Sequence, residues 1–227
     1  MNFYIPSDDL NDWAKLLANP IKQWVVGKSA RTLAHSWIDQ KLYPKEIENV
    51  FNDYGEKPFK KMKFLFVFPE YKVDLPPCYR EPSHNDIFII GRGENELVSI
   101  CVEGKVSESF GTYVPTPKNP NSGMPERLSK MCESLGLVER DISKIRYQLL
   151  HRTLSSVTMA KKLNANYAMM LVHSFSESNK GFNDFTKFTM LFGVEAKINK
   201  ILESDRLVSG KKLYFAWVKG DKKYLQY

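Results

Sequence analysis

The stretch Asp86-Ile87-Phe88-Ile89-Ile90-Gly91-Arg92-Gly93-Glu94-Asn95-Glu96-Leu97-Val98-Ser99-Ile100-Cys101-Val102-Glu103-Gly104-Lys105 decides the fold. Two apolar runs flank a polar segment with glycines, a pattern that predicts two antiparallel strands joined by a turn over residues 92–96. Folding the second run back along the first brings Asp86 level with Glu103. Side chains alternate along a strand, so Glu103 and Lys105 project from one face and Gly104 from the other. Two carboxylates and an ammonium then share a surface, which suits a hard divalent cation and an activated water.

Working outward, Phe64-Leu65-Phe66-Val67-Phe68 predicts a buried strand ended by Pro69, with residues 73–75 extending that excursion. Residues 167–175 form another apolar run, read as a strand buried on both faces, and 213–218 a last one. Helical spacing is expected over 8–19, closed by Pro20, and from Ser29 as N-cap to about residue 40. A third helix has Pro44 in its first turn; others cover 127–135 before Gly136, 143–163 capped by Ser143, and 182–192. Residues 114–125, with four prolines, read as loop, and the tail 219–227 as charged and exposed. The chain shows no internal repeat or low-complexity tract. The order predicts an α/β fold with a mixed sheet flanked by helices. Residues 1–62 read as a helical N-terminal extension packed on a core formed by 63–227.

With 227 residues and 43% hydrophobic content, the chain can bury a substantial core. Its apolar runs are too short to span a bilayer, and Asp8, Asp9 and Asp12 oppose a signal peptide, so a cytoplasmic protein is expected. Cys78, Cys101 and Cys132 are odd in number and far apart, which fits reduced, structural thiols. The net charge of +7 is uneven: residues 140–227 carry 16 Lys+Arg against 7 Asp+Glu, and residues 1–139 carry 17 against 19. A basic half beside a carboxylate-bearing half suits a polyanionic partner.

Glu103-Gly104-Lys105 at the end of an apolar strand, with Asp86 opening the strand before it and a helix and a buried strand after it, resembles the PD-(D/E)XK nuclease superfamily. The similarity covers roughly residues 29–176. One departure is that Asn85 precedes Asp86, so the Pro-Asp dipeptide is absent. The resemblance implies a restriction-endonuclease-like α/β core in which Asp86 and Glu103 hold Mg2+ or Mn2+ and Lys105 acts on the water or the transition state. Gln148, on the helix after the third strand, would support them, although Arg152 stands where such families often carry a tyrosine. The implied activity is phosphodiester hydrolysis, with DNA as the default nucleic acid; the rival is an inactive nuclease-like module that binds nucleic acid or protein. The strings Val102-Glu103-Gly104-Lys105-Val106, with Glu108-Ser109-Phe110-Gly111 after them, and Arg146-Tyr147-Gln148-Leu149-Leu150-His151-Arg152 are also similar to a bacterial domain family of unknown function.

Around this core, Glu70 is a further candidate metal ligand, with a surface carboxylate as the rival reading. Arg80, Ser83 and His84, just upstream of Asp86, are candidate substrate contacts. So are His151 and Arg152, which share a polar helix stripe with Gln148 and Ser155 at i, i+3, i+4 and i+7. A homodimer is compatible with the sequence; a membrane partner is not expected. Gly27-Lys28-Ser29 echoes the end of a P-loop, but Lys22 occupies the place of the required earlier glycine. His35, His84, His151 and His173 show no zinc spacing, and His173 reads as a hydrogen-bonded core residue. The four tryptophans read as packing residues.

Overall fold

The computed structural model describes residues 9–39, 43–77, 81–114 and 125–227. Cys78, Arg80 and most of the proline-rich stretch lie outside them. Helices α1 (Leu10–Leu16), α2 (Pro20–Gln23), α3 (Ser29–Ile38) and α4 (Lys45–Tyr54) come first. Strands β1 (Lys63–Val73), β2 (Ser83–Gly93) and β3 (Glu96–Lys105) follow, then α5 (Glu126–Leu135), α6 (Tyr147–Lys162), β4 (Tyr167–Ser174), α7 (Phe182–Met190), β5 (Ile201–Val208) and β6 (Lys211–Lys219). A 3-10 turn, Lys222–Gln226, ends the chain.

The strands form one mixed sheet in the order β1-β2-β3-β4-β6-β5. β1, β2 and β3 are an antiparallel meander, β4 is parallel to both β3 and β6, and β5 is antiparallel to β6. The β2–β3 hairpin closes through Glu94 and Asn95, both at positive φ, as two-residue hairpin turns require. Its register pairs Ile87 with Val102. One step further along, Asp86 stands opposite Glu103, as the sequence predicts.

Alternation of side chains gives the sheet two apolar faces. Ile87, Ile89, Ile100, Val102, Met169 and Leu171 pack with Leu33, Trp37, Ile47 and Phe51 beneath α3 and α4. Phe88, Cys101, Met170 and Val172 pack with Leu149, Leu150, Leu154, Phe185 and Phe188 beneath α6 and α7. β4, the central parallel strand, is buried along nearly its whole length, as its unbroken apolar composition implies. His173, at its end, is fully buried. Trp37 Nε1 donates to its Nδ1 over 3.2 Å, which leaves Nε2 to carry the hydrogen toward Glu46 Oε1 at 3.0 Å.

Several boundaries differ from expectation for identifiable reasons. β1 runs through Pro69 and is half-exposed, with Phe66 55% accessible; as the sheet's edge strand it tolerates a residue without an N–H. Ser29 is the first residue of α3 and not its cap; the extended Lys28 holds the cap position, and the Ser29 N–H donates to Glu108 Oε1 at 2.9 Å. Ser143 does not start α6. Arg146 bridges to Tyr113, and Val114 and Tyr147 donate to the carbonyls of Ile145 and Thr112, so this backbone stays extended until Tyr147. α1 ends at Leu16, short of Pro20, and Pro20 instead opens α2 behind the Asn19 cap. β5 is unanticipated: its charged centre, Glu203-Ser204-Asp205-Arg206, breaks the apolar pattern where the ladder to β6 is irregular. The tail is not wholly exposed, since Tyr224 is buried and its hydroxyl donates to Asp39 Oδ2 at 2.9 Å. Among the described residues no helix is long and apolar enough to cross a membrane.

Candidate functional site

β2 and β3 deliver Asp86, Glu103 and Lys105 to one end of the sheet, and α6 lays Gln148, His151 and Arg152 over them. Glu103 is the hub. Its Oε1 accepts from Lys105 Nζ at 2.7 Å and from Gln148 Nε2 at 2.6 Å, while Arg152 Nε donates to its Oε2. Lys105 Nζ also donates to Gln148 Oε1 at 3.0 Å, closing a ring of three side chains. The Lys105 ammonium lies 4.8 Å from the centre of the Phe110 ring. Glu103, Lys105 and Arg152 are all buried, and a buried charge persists only when it is paired in this way. Burial pushes the Glu103 carboxyl pKa up, but Arg152 and then Lys105 outweigh it and hold the group below the usual carboxylate range. Burial likewise opposes the charge on Arg152, and Glu103 and Asp86 restore it.

Asp86 is in the opposite condition. Its Oδ2 accepts from the Gly104 N–H at 2.8 Å, and among the described residues Oδ1 has no donor. Burial, then the charges of Glu103 and Glu70, push its pKa well above the usual range. Glu70 belongs to this group by register: Pro69 pairs with Ile87 and Tyr71 with Asn85, so Glu70 faces Asp86 from β1. Three carboxylates therefore stand at one level on three neighbouring strands. Glu70 adopts a left-handed φ of 51°, uncommon for a side-chain-bearing residue, and its Oε2 lies 3.0 Å from His84 Nε2.

Ser83 and His151 continue the polar contacts behind Arg152. Arg152 Nη1 donates to Ser83 Oγ at 3.0 Å, and that hydroxyl lies 3.0 Å from His151 Nδ1. Burial, reinforced by Arg152, lowers the His151 pKa to about 3, so the ring is neutral near pH 7. With Nδ1 facing a hydroxyl and a guanidinium, His151 serves as an acceptor that fixes Arg152.

These side chains line a cleft of about 630 Å3 that contains Glu70, His84, Asp86, Glu103, Lys105, Gln148, His151 and Arg152. The structure thus brings together every predicted site residue except Ser83, which touches the site from behind through Arg152, and Arg80, which lies outside the described residues. Among the described residues, no three His, Cys, Asp or Glu side chains converge closely enough to make a cation cage by themselves.

The opposite wall contains residues that sequence reasoning passed over. Lys22, Gln23, Lys28 and Ser29 line the cleft from the N-terminal helices, and Glu108 from the segment after β3. Glu108 joins the two: Oε1 accepts from Ser29 N–H, and Oε2 accepts from the N–H groups of Val106 and Ser107, each at 3.0 Å. Burial raises the Glu108 pKa, but these backbone donors outweigh it and hold it low. The only sequence cue was the position of Glu108 three residues beyond Lys105.

The family described as "Domain of unknown function (DUF6946)" matches residues 6–222. No curated protein and no solved structure matches the chain.

Proposed function

The chain belongs to the DUF6946 family, a description that names no activity, so the reading rests on the site, and we propose that this protein is a cation-dependent phosphodiesterase acting on nucleic acid, DNA by default. The observation that carries the proposal is the convergence of Asp86, Glu103, Lys105 and Gln148 in the lining of one cleft. The order helix, three antiparallel strands, two helices, parallel strand around Glu103-Gly104-Lys105 supports the likeness to PD-(D/E)XK nucleases.

Mg2+ or Mn2+ fits the oxygen donors present. Among the described residues Asp86 has a carboxylate oxygen without a donor, and burial, then the charges of Glu103 and Glu70, disfavour its ionised form, which a cation there would favour. One or two carboxylates, completed by water and substrate phosphate, are the usual complement for Mg2+. When bound, the cation would offset phosphate charge and acidify a water. The protein's share is orientation and electrostatics. Gln148 and Arg152 hold the Glu103 carboxylate in one rotamer, and Glu103 in turn aims the Lys105 ammonium into the cleft. There the ammonium would donate to the attacking water or to the phosphoryl oxygens as negative charge builds on them. Attack at phosphorus breaks one P–O ester bond and leaves a phosphate and a hydroxyl end.

Cleavage of labelled single- and double-stranded oligonucleotides with Mg2+, Mn2+ or EDTA tests the reading. The wild type should cut only with a cation, and Lys105→Ala should lose about 100- to 1,000-fold in rate. Full activity in EDTA, or undiminished activity of Lys105→Ala, would overturn it. A second reading, a nuclease-like binding module without turnover, draws on the commitment of both Glu103 oxygens to Lys105, Gln148 and Arg152. It expects oligonucleotide binding with no cleavage under any cation.

A further inference from the structure

Residues 21–28 contribute Lys22, Gln23 and Lys28 to the lining of the cleft, with Ile21, Val25 and Val26 on the same segment outside that lining, and have no part in the chemistry just described. Lys22 and Lys28 line the cleft opposite Asp86, Glu103 and Lys105, and among the described residues neither has an ion-pair partner. Between and beside them the chain exposes three apolar side chains: Ile21 is 92% accessible, Val25 43% and Val26 50%. An apolar group beside two unpaired cations, on a short segment at the rim of a cleft, is poorly explained by folding alone. Its position is also fixed. Glu108 ties Ser29, the residue after Lys28, to the backbone of Val106 and Ser107, one and two positions beyond Lys105.

The cleft's volume limits what can enter. About 630 Å3 lies within the range of small-ligand pockets, room for one or two nucleotides. Single strands are held by cations that follow the phosphates and by apolar or aromatic groups that receive bases. Both elements are present here, with the half-buried Tyr147 ring on the α6 side of the same cleft.

We infer that residues 21–28 are a binding wall for an unpaired polynucleotide strand, with Lys22 and Lys28 on its phosphates and Ile21, Val25 and Val26 against its bases. This deepens the phosphodiesterase reading by naming its substrate class, and it rests on that reading for the identity of the polyanion.

Binding can be measured without turnover, by fluorescence anisotropy of the full chain with a labelled single-stranded oligonucleotide and its blunt duplex in EDTA over a salt series. The single strand should bind about 10-fold or more tightly than the duplex. Lys22→Glu with Lys28→Glu should weaken single-strand binding about 10-fold or more and reduce the salt slope by about 1.4, the share of two phosphates. Val25→Ser with Val26→Ser should weaken binding about 3- to 10-fold, within the worth of a lost base contact, and leave the slope unchanged. Equal or tighter binding of the duplex, or indifference to the charge reversal in variants with unchanged melting curves, would overturn the inference. Single-strand binding with this mutational pattern but no cleavage under Mg2+ or Mn2+ would refute the hydrolase and keep the wall. Cation-dependent cleavage that ignores all four substitutions would refute the wall and keep the hydrolase.

Discussion

Gly104 separates the hub carboxylate from its lysine, and a larger residue there would have to displace its neighbours. A Cβ at this position would lie 3.0 Å from Leu33 Cδ2, 3.3 Å from Leu33 Cβ and 3.4 Å from Asp86 Oδ2. The residue therefore lets α3 press on the back of the strand while its N–H orients Asp86. Gly104→Ala should cost about 1–3 kcal/mol in urea unfolding, and combining it with Leu33→Ala should cost less than the sum of the two single changes, because they share one contact. The trio Asp86, Glu103 and Lys105 was legible in sequence because strand alternation alone sets which side chains share a face. Gln148, His151 and Arg152 were legible for the parallel reason on a helix. Lys22, Lys28 and Glu108 were not, since their meeting depends on how α3 docks across the sheet, and no local period encodes that.

At the level of elements, the N-terminus of α3 is capped from a distance. Glu108 receives its Ser29 amide and two further amides of the segment after β3, so one carboxylate sets the spacing between the start of α3 and the end of β3. Glu108→Ala should cost about 1–2 kcal/mol and speed amide hydrogen exchange in the first turn of α3 before other helices respond. Unchanged exchange there would count against this linkage. Ser29 misled as a cap because Lys28 holds the cap position and Ser29 is already helical, its own amide donating to Glu108. Strands β2, β3 and β4 were legible because burial on one or both faces writes itself into composition. β5 was not, because an irregular edge strand with Glu203, Asp205 and Arg206 at its centre meets neither period, and α6 began late because a tertiary bridge from Tyr113 to Arg146 overrode a good capping sequence.

For the whole molecule, Glu46 links three distant parts of the chain. Sitting on α4, it accepts from His173 at the end of β4 and from the Asp221 N–H before the C-terminal turn, at 3.0 and 3.3 Å. Burial raises its pKa, but His173 and the backbone donors outweigh it, and the native value lies below the ordinary 4.5. A carboxyl with a depressed native pKa stabilises the fold fully above about pH 4.5 and loses that contribution as pH falls through the lowered value. Urea midpoints of Glu46→Gln should therefore vary less with pH below about 4.5 than those of the wild type. The sheet as a whole has one more property, visible at its outer strand. β1 presents Leu65 and Phe66 to solvent with an open row of backbone groups, the arrangement by which one chain recruits another into a continuous ribbon. Pro69 interrupts that row midway, and Lys63 and Lys72 add repulsion at its two ends. Pro69→Val should leave the monomer folded but turn this margin adhesive, giving concentration-dependent light scattering on storage; the proline would thus be a guard on colloidal lifetime.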